Sequence, residues 1–340
     1  MSRIRLTFFL CVLFVSCTED EGPVIEPIEE KPYVLILNEG NFQSANGSIT
    51  LYYPDENRTV EKVFQANNNG RPLGDVVQSM IQIGDRYYIV VNNSNKIEVV
   101  ASNNFKSIGK IDALNSPRYL LPISETKMYV SDLYEDYIYV VNPQTLSVEK
   151  KIETKGWVEE MRLINGEAFV CHVDSGQVWV FDAQTDTLKA KITTNLQPQH
   201  LEVDLNQQLW VSCSGGINDS FPALIQIDPL QQRVIKKLEV PDKSKSIGEL
   251  AINKEGTSLL YLMEDLFEIS IDATNLATVP KIASNSRLFY GLGVSHQNEI
   301  YLSDAIDYLQ KGVIYRYAWN GEEMTTFRAG IIPGEFFFKQ

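Results

Sequence analysis

Seven times along the chain a β-rich run ends in the same way, and this recurrence constrains the fold more than any other feature. The runs are Leu35-Ile36-Leu37-Asn38-Glu39, Val90-Val91-Asn92-Asn93, Tyr129-Val130-Ser131-Asp132, Phe169-Val170-Cys171-His172, Trp210-Val211-Ser212-Cys213, Tyr261-Leu262-Met263-Glu264 and Tyr301-Leu302-Ser303-Asp304. With Leu37, Val91, Val130, Val170, Val211, Leu262 and Leu302 as anchors, the spacings are 54, 39, 40, 41, 51 and 40 residues. A fixed period in this range marks repeated units that each bury a face against the next. The two long spacings hold Gly40 to Gly47 with Asn67 to Asp75, and Ser214 to Ala223, all of loop composition.

Each anchor run is followed by a turn and a second alternating run, as in Lys96-Ile97-Glu98-Val99-Val100 or Gln177-Val178-Trp179-Val180-Phe181. A third follows a short polar turn, as in Val148-Glu149-Lys150-Lys151-Ile152. An innermost strand is expected before each anchor, at Val76 to Ile83, Arg118 to Ile123, Glu159 to Ile164, His200 to Asp204, Glu249 to Asn253 and Tyr290 to Ser295. Four strands in about 40 residues make a β-propeller blade. The first unit opens on its anchor strand at Tyr33, without an innermost strand, and the chain ends in an apolar Phe336-Phe337-Phe338. The expectation is an all-β, seven-bladed propeller over residues 33–340 whose first blade is closed by the C-terminal strand; a six-bladed ring with a frayed end is the alternative. Closure would leave no open sheet edge at the seam.

The first residues read as an address. Arg3 and Arg5 precede an apolar run from Leu6 to Val15, too short to cross a bilayer as a helix. It ends at Phe14-Val15-Ser16-Cys17, which looks like a bacterial lipobox with Phe14 in the place usual for Leu. Residues 1–16 are expected to be a lipoprotein signal peptide and Cys17 the lipidated residue; an ordinary secretory signal is the alternative. Residues 17–32, with Glu19, Asp20, Glu21, Pro23, Pro27 and Pro32, have the composition of a tether rather than a core. The acidic cluster behind Cys17 resembles a surface-export signal of Bacteroidota lipoproteins, which implies an outer-membrane lipoprotein on the extracellular face; a linker facing the periplasm is the alternative.

A formal charge of −14 and a pI near 4.8 exclude a nucleic-acid partner, which would need basic surface to displace counterions. Membrane association is expected through the lipid alone. Four cysteines, three histidines and the lack of Cys-x-x-Cys or His-Glu-x-x-His spacings give no basis for a metal site. Cys171 and Cys213 end anchor strands of adjacent units, so a disulfide between them is geometrically open.

In a propeller the inter-blade loops and the hairpins between second and third strands share one face around the central channel, and ligand contacts belong there. The inter-blade loops carry Arg71, Asp75, Arg118, Tyr119, Trp157, Glu159, Gln199, His200, Lys245, Arg287, Phe289 and Tyr290. The hairpins add Asn41, Phe42, Asn93, Tyr134, His172, Asn218, Phe221, Asp304 and Tyr308. Aromatics, arginines and amides suit a large, neutral ligand bearing amides or hydroxyls. Duller roles are open to them: Tyr119 and Trp157 would pack between blades, and Arg71, Arg118 and Arg287 would cap loop carbonyls. His172 and His200, on adjacent blades, could meet, whereas His296 belongs to the opposite face. Without a placed carboxylate the pair is weak support for catalysis, and Glu159-Glu160 offers no persuasive acid pair. No Gly-x-Ser-x-Gly elbow or phosphate-cradling glycine loop occurs.

Four strings are more specific than the period: Asn38-Glu39-Gly40-Asn41-Phe42, Arg71-Pro72-Leu73-Gly74-Asp75-Val76-Val77-Gln78-Ser79-Met80, Val90-Val91-Asn92-Asn93-Ser94-Asn95-Lys96-Ile97 and Ser116-Pro117-Arg118-Tyr119. They closely resemble the YncE-like, seven-bladed surface lipoproteins of Bacteroidota, over essentially the whole mature chain and most densely in the first three blades. The best understood members of that group, the BtuG proteins, capture vitamin B12 at the cell surface and hand it to a TonB-dependent outer-membrane transporter. The resemblance implies a non-catalytic capture protein whose ligand is cobalamin or a related corrinoid, carried as cargo and not as a cofactor. A corrinoid offers a face to aromatic rings, amides to Asn, Gln and Arg, and one phosphate to an arginine. The expected contacts are Asn41, Phe42, Arg71, Asn93, Arg118, Tyr119, Tyr134, Trp157, His172, His200, Phe221, Arg287, Tyr290 and Tyr308, with no catalytic residue. The middle blades, with the Gly215 to Ala223 insertion, depart from the pattern. Two alternatives stay open: a lyase-type propeller enzyme with His172 or His200 as base, and a glycan-binding accessory lipoprotein.

Overall fold

The computed structural model describes residues 28–216 and 219–340. The expected signal peptide, Cys17, most of the tether and the candidate Asn218 lie outside the described residues.

Seven antiparallel sheets form the blades of one ring. Six carry four strands each; blade 2, for example, runs through Val77–Ile83, Arg86–Val91, Lys96–Ala101 and Ser107–Ile111. Every expected innermost strand is present within one or two residues of its expected ends. In blade 1 the order is Pro333–Lys339, Tyr33–Asn38, Ser48–Tyr53, Arg58–Val60, so the last strand of the chain supplies the first blade's innermost strand. The pairing is antiparallel, with Leu35 opposite Phe337 and Ile36 opposite Phe336.

Alternation explains how the ring coheres. Successive side chains of a strand point to opposite faces of its sheet, and in a blade both faces meet a neighbour. Leu35 and Leu37 therefore pack toward blade 2 with Tyr87, Ile89 and Val91, whereas Val34 and Ile36 pack toward blade 7 with Tyr301 and Ile314. Seven apolar clusters result, one between each pair of adjacent blades, including the pair that closes the ring. Large aromatic side chains such as Tyr52, Tyr87, Phe169, Trp210 and Tyr301 are fully buried there. Each is worth about 2–3 kcal/mol of transfer free energy.

Two local features depart from the repeat. The first long interval, expected as loop, contains a short helix, Val63–Asn67, whose Val63 and Phe64 fill the seam between blades 1 and 2. Blade 6 has three strands, Leu250–Ile252, Ser258–Leu262 and Leu266–Ser270, and the expected fourth shrinks to a bridge between Leu266 and Ile282. Pro280 has no N–H to give a ladder, and the preceding Leu276 and Ala277 tuck against the cluster between blades 5 and 6 instead.

Residues 28–32 lie on the face away from the inter-blade loops. The Ile28 N–H donates to the Asn103 carbonyl at 3.0 Å, and the Glu29 N–H donates to the Tyr53 hydroxyl at 3.2 Å. Lys31 lies 4.4 Å and the Arg58 guanidinium 4.3 Å from the Tyr53 ring centre, with Glu29 and Glu56 pairing both. The described start of the chain therefore lies on the face opposite the channel mouth.

Candidate functional site

A cavity of about 560 Å³ occupies the central channel, walled by the innermost strands from their starts at the mouth to the far ends of those of blades 6 and 7. Each blade contributes: Glu39 and Glu335 from blade 1, Gln78 from blade 2, Arg118 and Tyr119 from blade 3, and Trp157, Glu159, Glu160 and Arg162 from blade 4. Blade 5 gives Gln199, His200 and Glu202, blade 6 gives Glu249, and blade 7 gives Tyr290. Ile252, Val294 and Phe338 add apolar wall. Six carboxylates thus face two guanidinium groups and one imidazole.

The cations are committed within the wall. Arg118 Nε donates to Glu159 Oε1 at 2.9 Å and Oε2 at 3.2 Å, and its Nη1 donates to Gln78 Oε1. Trp157 Nε1 donates to the same Glu159 Oε1 at 2.6 Å, so this carboxylate is fully engaged. Arg162 lies between Glu160 at 3.3 Å and Glu202 at 3.5 Å, and its Nε donates to the Leu201 carbonyl at 2.8 Å. His200 stands between two carboxylates, Nδ1 3.7 Å from Glu160 and Nε2 3.7 Å from Glu249. Tyr290 donates its hydroxyl to Glu39 at 2.8 Å.

Removal from water against incomplete pairing shifts several of these groups. Burial pushes Glu39 up to about 7, with the Tyr290 hydrogen bond opposing. Burial likewise pushes Glu202 up to about 7, with Arg162 opposing and Glu160 adding to the rise. Glu335 is held well above the usual carboxylate range by burial first and then by Glu160 and Glu249. Burial also raises Glu249, against the pull of His200. Desolvation disfavours the charged form in each case.

Arg118, Tyr119, Trp157, His200 and Tyr290 are the expected contacts that line this cavity. Tyr119 and Trp157 face the channel rather than an inter-blade seam. Phe42, Tyr134 and Tyr308 stand exposed on the surrounding hairpins, at 64%, 72% and 41%. Tyr308 meets Tyr290 edge-on at 5.8 Å and its carbonyl accepts from Asn41 Nδ2 at 2.5 Å, linking the rim to the channel. Phe221 is half-buried on the blade 5 hairpin under Lys243 at 4.8 Å.

Other expected contacts have structural partners instead. Arg71 is drawn outward over Phe64 by the buried Glu98, at 2.6 Å, so it caps a seam and leaves the cavity. Arg287 bonds the Tyr317 hydroxyl at 2.7 Å, lies 4.1 Å from the Tyr315 ring centre and faces Glu323 at 3.6 Å. With Arg118 also paired, none of the three arginines stands ready for a ligand phosphate. Asn93 donates to Asp75 at 3.3 Å within a loop junction. His172 and His200 do not meet: His172 is buried, bonded to the Thr154 carbonyl and Ser175, and stacked 4.4 Å from Trp179. Cys171 and Cys213 share the cluster between blades 4 and 5 as free thiols, so the disulfide does not form.

Sequence reasoning missed Glu39, Glu202, Glu249, Glu335 and Arg162 as site residues. For Arg162, Glu202, Glu249 and Glu335 the signal was a charged residue on or beside an innermost strand, whose edge faces the axis, whereas Glu39 follows the second strand of blade 1 and reaches the channel from the hairpin side. Among the described residues no group of three or more His, Cys, Asp or Glu side chains is placed to hold a metal ion. The arrangement is rich in acceptors and ringed by aromatic faces, which suits N–H- or O–H-bearing ligands and disfavours anions.

No curated protein matches the chain. Solved structures share its fold at low identity. The periplasmic gluconolactonase PpgL of Pseudomonas aeruginosa superposes with a TM-score of 0.70 at 11% identity, covering 91% of this chain and 99% of that one. A quinonprotein alcohol dehydrogenase-like protein from Bacteroides thetaiotaomicron gives 0.68 at 14% identity, covering 91% and 78%. The dihydro-heme d1 dehydrogenase NirN gives 0.60 at 10% identity, covering 90% and 74%. Enzymes are thus among the proteins that share this architecture. Residues 33–265 match the family described as Domain of unknown function (DUF5074), and the chain belongs to it.

Proposed function

We propose that the protein is a non-catalytic capture protein that binds cobalamin or a related corrinoid across the mouth of its channel. One observation carries this reading. Phe42, Tyr134 and Tyr308 are the aromatic residues among the large exposed apolar side chains described, and all three sit on mouth-face hairpins around the acceptor-rich cavity. Exposed rings grouped on one face offer stacking area, while carboxylates and Gln78 accept from amide N–H groups at a macrocycle edge. The cavity takes a ligand arm, and the ring system spreads over the rim. A corrinoid phosphate would lie outside the acidic mouth. Display through a lipid on Cys17 on the extracellular face of the outer membrane, with delivery to a TonB-dependent transporter, completes the proposal. The docking of residues 28–32 on the opposite face is compatible with it, because a tether there leaves the mouth unobstructed.

Titrating the purified chain with cyanocobalamin tests the reading. The expected result is a red complex at one equivalent, with a Kd of about 1 µM or tighter, weakened when Phe42, Tyr134 and Tyr308 are changed to Ala together. No binding at micromolar protein would sink it.

His200, flanked by Glu160 and Glu249, favours one alternative, a lyase-type enzyme with His200 as base. Turnover of a sugar lactone or cyclic ester that disappears in His200→Ala would establish it; His172, locked by Thr154 and Trp179, has no part in it.

A further inference from the structure

We propose that capture at the mouth is coupled to proton uptake by the channel, so that a neutral ligand is held more tightly in weakly acidic surroundings and released as they turn alkaline. This rests on the capture reading and adds its regulation.

The geometry leaves part of the charge in the channel uncompensated. Arg118 is committed to Glu159, and Arg162 is shared by Glu160 and Glu202. Three carboxylates remain: Glu39 just after the second strand of blade 1, Glu249 just before the innermost strand of blade 6, and Glu335 on the closing strand. Glu39 has the Tyr290 hydroxyl, Glu249 has His200, and Glu335 has no hydrogen bond or ion pair among the described residues. Glu335 faces Glu160 and Arg162 of blade 4 and Glu249 of blade 6. Glu249 faces His200 of blade 5, Glu160 and the Arg118 guanidinium of blade 3; Glu39 faces Arg118, Glu249 and Tyr290. In the open channel these side chains are only partly buried. A neutral ligand seated on the rim shields them further from solvent and supplies no positive charge, so each charged carboxylate becomes more costly. The remedy is protonation of a carboxylate, which takes up a proton and so fixes the sign of the pH dependence. Burial already brings Glu39 up to about 7 in the free protein, where a further rise has an effect near neutrality.

The test uses cyanocobalamin as the neutral probe and the full chain. With one linked proton and a free-state midpoint of about 7, Kd should rise roughly tenfold from pH 6 to pH 8. Calorimetry at pH 7 in buffers of different ionisation enthalpy should show uptake of a sizeable fraction of a proton per ligand bound. The double variant Glu39→Gln with Glu335→Gln should flatten the profile. Binding with a flat profile and no proton uptake overturns the coupling while leaving capture standing. An unchanged slope in the double variant also overturns it, since the proton would then reside elsewhere. Absence of binding at every pH from 5.5 to 8.5 overturns capture and coupling together. The proton count on the unmodified chain decides the matter even where the variant fails to fold.

Discussion

Glu202 shows how single residues in the channel wall bear on stability. Burial holds it near 7 in the folded chain, against about 4.3 for a free glutamate. A carboxyl raised on folding binds more protons in the native state, so its presence costs nothing below the unfolded value and progressively destabilises as pH rises through the folded one. Arg162, 3.5 Å away, offsets part of that cost. Glu202→Gln is therefore expected to leave stability at pH 4 nearly unchanged and to raise it at pH 8 by about 1–3 kcal/mol. Urea unfolding at the two pH values reads this directly; equal effects at both would show that Glu202 keeps an ordinary affinity for its proton. The residues that set this chemistry were only partly legible in the sequence. Arg118, Trp157, His200 and Tyr290 could be placed at strand starts from the repeat alone. That Glu39, Glu249 and Glu335 converge with them needed ring closure, because Glu39 and Glu335 meet only when the two ends of the chain share a blade.

At the level of elements, a close approach lies where the innermost strand of blade 7, Phe289–Val294, passes the closing strand of blade 1. A Cβ on Gly291 would come within 2.2 Å of the Gly334 carbonyl oxygen and 3.0 Å of Ser303 Oγ. Both strands are fixed by their own sheets, and the Ser303 hydroxyl is already bonded to the Pro333 carbonyl at 2.6 Å. Gly291→Ala must therefore push one innermost strand away from the other. Overpacking of this kind costs about 1–3 kcal/mol, and a drop in chemical-unfolding midpoint of that size is expected. An unchanged midpoint would mean the seam can open freely. Elements of this kind were well signalled, because a strand with both faces buried reads as a short continuous apolar run bounded by polar turns. Blade 6 was the exception. Lys281 and Ile282 look like part of a strand, yet Pro280 and the inward Leu276 remove the ladder that would have continued it.

Across the whole molecule, closure of the ring is the event on which the rest depends. The segment 333–340 contributes Phe336 and Phe338 to the cluster between blades 7 and 1 and Phe337 to the cluster between blades 1 and 2, and it covers the edge of Tyr33–Asn38. Three phenylalanines at roughly 2 kcal/mol each amount to about 6 kcal/mol, comparable with the net stability of an ordinary domain, about 5–15 kcal/mol. The exposed edge of blade 1 would also be a template for pairing with another chain. Ending the chain at Ile332 is therefore expected to abolish the cooperative thermal transition of the monomer and to shift the protein to oligomers in size-exclusion chromatography. A synthetic peptide of residues 333–340 should restore part of the monomer by taking the vacant strand position. If the shortened chain instead stays monomeric and melts where the full chain does, closure contributes little and six blades suffice. The same truncation removes Glu335 and the strand beside Glu39, so a chain that survived it would also lose the carboxylate geometry on which the proposed coupling of capture to protons rests.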